Sequence, residues 1–151
     1  MTRRAALPIV LVAGAVLAAP SAALAARTVP AAGGTWGKAA NPVCKRYSKE
    51  IDKLPSPSNP SEAAASTQKV YEIAKRQTNE LAKLPRAAGE DADVKALIGL
   101  WRQELGVVQQ MVLAMKRSDT KAVNAIVAQG RKIDVKVQAL GKKLGAADCV
   151  S

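Results

Sequence analysis

Apolar residues return every three or four positions over long stretches of this chain, and nowhere do they alternate strictly with polar ones. That period belongs to helices with one buried side, and the lack of alternation predicts no strands. The clearest stretch opens near Glu90 and carries Val94, Ile98, Trp101, Leu105, Val108, Val112 and Met115. A second runs through Val123, Ile126, Gly130, Ile133, Val137, Leu140 and Leu144, about six turns with one missing side chain at Gly130. A less regular stretch, about Pro60 to Leu84, places Val70, Ile73, Ala74, Leu81 and Leu84 on one side with Gln77 among them.

The punctuation between these stretches is also helical. Asn41-Pro42 and Asn59-Pro60 each set a capping side chain before proline at the first helical position, where the missing N–H is no loss. Glu62, three residues after Asn59, completes a variant of the capping box. Ser118 or Asp119 starts the last helix and Gly145 ends it. Pro55 and Pro85 follow Leu54 and Leu84 and act as stops, because the residue before proline is pushed out of helical backbone geometry. The expected fold is therefore all-α, four helices in an up-down-up-down bundle.

Cysteine usage bears on that count. Cys44 and Cys149 are the only two cysteines, and the chain has no histidine to complete a metal site with them, so one disulfide is the expected state in an oxidising compartment. With four antiparallel helices the start of the first and the end of the fourth lie at the same end of the bundle; an odd number would separate them.

The first 26 residues, MTRRAALPIVLVAGAVLAAPSAALAA, read as a signal peptide: two arginines, an apolar run from Ala5 to Ala19, and Ala23-Leu24-Ala25 before a cut after Ala25. The alternative is an uncleaved membrane anchor, but Pro8, Gly14, Pro20 and Ser21 interrupt the run. The organisation read here is residues 1–25 signal peptide, 26–40 flexible leader and 41–151 helical domain. Trp36 stands in the leader, where it either docks on the domain or a partner or, as the leading expectation, is partly exposed with no role. Cleavage removes Arg3 and Arg4 and no acid, leaving 21 basic against 12 acidic residues, a net charge of +9.

That charge matters because little else suggests chemistry. Triads and acid–base pairs need a group that titrates near neutrality or a base beside a nucleophile. Histidine is absent, and Glu50, Glu72, Glu80 and Glu104 fall at positions that mostly read as solvent-facing, so the reading is non-enzymatic. Glu90, Asp91 and Asp93 lack the glycine-containing loop of a familiar calcium site and read as acids placed at a helix start. Met111 and Met115, with Tyr47 and Tyr71 elsewhere, lack the histidine that haem or copper sites ordinarily use. No cofactor and no metal are expected.

At 100° per residue Lys121, Lys132, Lys136 and Lys143 fall within a stripe about 60° wide, roughly opposite the apolar side of the last helix, and Arg131 and Lys142 flank it. Lys45, Lys49 and Lys53 repeat at i+4 on the first helix. Such sides either are solvated surface or form a platform for an anionic cell-wall polymer, lipid heads or an envelope protein. Nucleic acid is the weakest candidate, since no aromatic residue interleaves the cations for base stacking. The leading expectation is an exported bundle that binds an anionic envelope surface or envelope partner protein. The alternative is a carrier whose core takes a small hydrophobic ligand near Trp101, Met111 and Met115. The sequence leaves the oligomeric state open.

A secretion signal, a first cysteine in a short helix ending in Leu54-Pro55-Ser56-Pro57, and a closing Leu144-Gly145-Ala146-Ala147-Asp148-Cys149 together resemble small exported helical proteins of high-GC Gram-positive bacteria. The resemblance spans residues 44–149 in arrangement. It implies the same disulfide and compartment and brings no active-site residues.

Overall fold

The computed structural model describes residues 34–150; the expected signal peptide, residues 26–33 of the expected leader, and residue 151 lie outside the described residues. The elements are α1 (Thr35–Ile51), α2 (Pro60–Leu81), α3 (Asp91–Lys116), α4 (Thr120–Lys143) and a closing 3₁₀ turn, η1 (Ala147–Cys149). No strand occurs among the described residues. The Asn59 side chain accepts from the Glu62 N–H at 2.9 Å. The Glu62 carboxylate in turn accepts from the N–H and hydroxyl of Ser58, at 2.8 and 2.6 Å, so the box closes one residue earlier than usual. These bonds, the hydroxyl first, hold the Glu62 carboxyl below the usual carboxylate range. Asp119 caps α4 by accepting from the Ala122 N–H at 2.9 Å. Gly145 stops it in left-handed backbone, φ +70°.

The start of the first helix differs from the expectation. α1 begins at Thr35, so residues 35–40 belong to the domain and Asn41-Pro42 lies inside the helix. Trp36 is the reason. Its side chain is fully buried, its indole N–H donates to the Leu81 carbonyl at 3.1 Å, and its backbone N–H donates to Glu90 at 3.2 Å. Burying an indole offsets the proline penalty, which is small here because Pro42 and Lys38 are both exposed and water can reach the carbonyl that proline leaves unbonded. Asn41 does not cap. Its amide N–H donates to the Gly145 carbonyl and its amide oxygen accepts from the Asp148 N–H, both at 3.1 Å, which fastens the C-terminal turn onto α1.

Cys44 and Cys149 form the expected disulfide beside this fastening, with Cα atoms 5.1 Å apart. Backbones come close at the same end: a methyl group at Gly37 would sit 2.0 Å from the Leu144 carbonyl oxygen, so only glycine fits there. Successive helices run antiparallel. Trp36 meets Leu81 while Glu50 meets Arg76, and Lys143 meets Asp93 while Gly130 faces Val107. The broadest interfaces are α2 with α3 and α3 with α4; α1 packs on α2 and on η1.

The core is lopsided. Its buried cluster joins Trp36, Val43 and Tyr47 of α1, Ile73 and Leu81 of α2, Val94 to Trp101 of α3, Val137 of α4, and Leu144 and Val150 beyond it. Trp36 and Trp101 face each other with ring centroids 6.2 Å apart, the largest pieces of this phenylalanine-free interior. Of the apolar stripe expected along α4, only Val137 and Leu144 are buried, while Val123, Ile126, Ile133 and Leu140 remain half-buried. α3 buries a wider arc than one stripe, adding Leu97, Val107 and Ala114, because it is held between α2 and α4.

Candidate functional site

The charged residues divide into those that hold the fold and those that do not. Five acids are in ion pairs: Asp148 with Lys45, Glu80 with Arg46, Glu50 with Arg76, Asp91 with Arg86 and Lys95, and Asp93 with Lys143. Glu62, Glu90 and Asp119 accept backbone N–H groups around helix starts, and Glu72 accepts from Gln68. Between α1 and α2, Arg46 and Arg76 also stack on the Tyr47 ring at 5.0 and 5.7 Å. Among the described residues only Asp52, Glu104 and Asp134 have no such partner.

Lys121, Lys132, Lys136 and Lys143 are all exposed on α4, and Lys45, Lys49 and Lys53 on α1, as the spacing predicts. Two of the seven are tied to the fold. Lys143 reaches Asp93 at 2.7 Å and Lys45 reaches Asp148 at 3.2 Å, across 50 and 103 residues of sequence that give no local sign of either contact. Fourteen cations of the described chain make no ion pair, and half of them lie between residues 116 and 143: Lys116, Arg117, Lys121, Arg131, Lys132, Lys136 and Lys142. That segment holds only two acids, Asp119 and Asp134. Val135 projects among these cations, 69% exposed.

The suggested ligand pocket does not form as one site. Trp101 lines a cavity of about 180 Å³ between α2 and α3, whereas Met115 lines grooves at the other end of α3 with Pro60 and Ser118, and Met111 joins neither. Fourteen residues of helix, about 21 Å, separate Trp101 from Met115. Glu104 lines the cavity instead, one of four glutamates whose positions mostly read as solvent-facing. Its spacing of three from Trp101 and four from Val108 is the signal that sets it on this side. Burial, and then the nearby Asp134 charge, push its carboxyl from an ordinary 4.5 up to about 7.

This shift has a definite sign. Folded chain keeps the Glu104 proton up to about pH 7 and unfolded chain only to about 4.5, so between these values the folded state binds more protons and stability falls as pH rises. The contribution is whole below about 4.5 and gone above about 7. Thermal melts at pH 5 and pH 8 are expected to show wild type losing Tm relative to Glu104→Gln, whose amide does not ionise. Parallel losses in the two proteins would mean that the carboxyl is fully solvated.

No group of three or more metal-ligating side chains occurs among the described residues, and no helix there is long and apolar enough to cross a membrane. No protein family, curated protein or solved structure matches the chain.

Proposed function

We propose that the mature chain works outside the cytoplasm as a non-enzymatic helical module that holds to an anionic envelope surface through the outward side of α4. One observation carries this reading. Nine of the twelve acids are engaged in holding the fold, and half of the unpaired cations of the described chain collect between the last residue of α3 and the end of α4. Opposite charge is sparse there, with Asp119 and Asp134 against seven unpaired cations, so the field extends outward. Each cation close to an anionic leaflet contributes about 1 kcal/mol, so Lys121, Lys132, Lys136, Arg131 and Lys142 together supply roughly 5 kcal/mol. That is a weak, salt-sensitive hold, strengthened where many copies share a surface. The exposed Val135 among the cations adds an apolar contact suited to a lipid interface.

The test is sedimentation with phosphatidylglycerol vesicles and with cell-wall fragments, at low salt and near about 0.5 M salt, where the Debye length falls to a few ångströms. Sedimentation at low salt alone is expected. A Lys121→Glu, Lys132→Glu, Lys136→Glu variant should lose it, these three being chosen because none is in an ion pair. Binding by the variant equal to wild type overturns the proposal, and whichever surface retains the wild-type protein identifies the anion.

A further inference from the structure

Glu104 and the cavity it lines have no part in the α4 surface, and their chemistry is of the opposite sign. The cavity lies between α2 and α3, with Leu81, Trp101, Leu105, Val108 and, from η1, Cys149 as apolar wall and Glu104 as its charged group. Gln77 and Thr78 add neutral polar groups; the Thr78 hydroxyl is already committed to the Ala74 carbonyl at 2.8 Å. No cation lines the cavity, in a chain where basic residues outnumber acids almost two to one.

Most acids of this protein have a partner; this one sits half-buried against apolar side chains with none among the described residues. A carboxylate in such a place is costly unless a positive group joins it. Asp134, the charged group that bears on it from α4, has the same sign and increases the demand for a cation. Two carboxylates without a third ligand make a poor metal cage, and the apolar wall gives a metal nothing. The volume, about 180 Å³, is close to that of an engineered apolar cavity of about 150 Å³ that takes up benzene.

We infer that this cavity binds a small amphiphilic amine, with one ring or short alkyl chain seated against Trp101, Leu105 and Val108 and its ammonium group donating to the Glu104 carboxylate. The inference is independent of the α4 surface, and neither depends on the other. The apolar part supplies the burial and the charge pair supplies the discrimination, since charge-assisted hydrogen bonds are roughly twice as strong as neutral ones.

The experiment titrates phenethylamine, and separately 2-phenylethanol as its neutral counterpart, into the disulfide-bonded protein at pH 8. Tryptophan fluorescence reports on Trp101 and on Trp36, which lies against it. Saturable binding of the amine, about tenfold tighter than the alcohol, is expected. Glu104→Gln should reduce amine binding to the level of the alcohol while leaving alcohol binding unchanged. Val108→Phe, which fills the cavity, should abolish both, with circular dichroism reporting that the helices remain. No saturation by either compound in wild type overturns the inference. So does equal binding of amine and alcohol, or a preference for amine that survives in Glu104→Gln.

Discussion

Replacing Trp36 with alanine is expected to lower stability by about 3–5 kcal/mol, the range for emptying a buried aromatic site. The upper part of the range applies because three losses coincide. The indole is wholly buried, its N–H satisfies the Leu81 carbonyl at the end of α2, and its ring faces Trp101. Without it the carbonyl loses a buried partner, an additional penalty of roughly 1–3 kcal/mol where water cannot take its place. Residues 35–40 then have little to hold them helical ahead of Pro42. Urea unfolding followed by circular dichroism checks the magnitude, and loss of helical signal before unfolding checks the fraying. A change below about 1 kcal/mol would show that the first turns of α1 dock without contributing to the core.

Removal of the disulfide comes second. The Cys44→Ser, Cys149→Ser double variant is expected to lose about 2–5 kcal/mol, and reduction of the native chain a similar amount. The bridge spans 105 residues, so most of the effect lies in the unfolded chain, which gains the freedom that the closure denied it. For a domain of this size the loss corresponds to a fall of roughly 10–20 °C in Tm. The folded arrangement of η1 should outlast the bond in part, because the Asn41 amide still fastens Gly145 and Asp148 to α1. A fall of only a degree or two on reduction would place the stabilisation in that amide rather than in the sulfur bridge.

Trp36 and the cysteine pair mark how far the fold is legible in the sequence. Cys44 and Cys149 were legible because a pair of cysteines in a four-helix chain admits one arrangement, and the caps at Asn59 and Asp119 were legible because a cap is made within three residues. The start of α1 was not. Asn41-Pro42 is a good local start, but burial of Trp36 against Leu81 and Trp101 outweighs it, and that burial depends on residues 45 and 65 positions away. A trace was present: Trp36, Ala40, Val43 and Tyr47 are spaced four, three and four apart, one helical side running through the proline.

The candidate sites divide in the same way. The exposure of the α4 lysines follows from their angle about the helix, which spacing gives directly. That Lys143 and Lys45 serve the fold, through Asp93 and Asp148, depends on which helix lies alongside, and spacing carries no such information. The burial of Glu104 is not legible in its spacing alone, because the wall that buries it is contributed in part by Cys149, from the far end of the chain.

The bridge also has a topological consequence. Cys44 and Cys149 convert the segment between them into a covalent ring that contains the end of α1 and all of α2, α3 and α4, together with every connection between them. The exposed stretch at residues 55–62 is where a protease would reach the backbone first. A single cut there opens the ring but releases nothing: both fragments stay linked through sulfur, and α1 stays joined to the body that carries the α4 cations. For a chain exported as proposed, to a place where broken chains are not replaced on the spot, one scission would therefore leave a single molecule with its charged side in place.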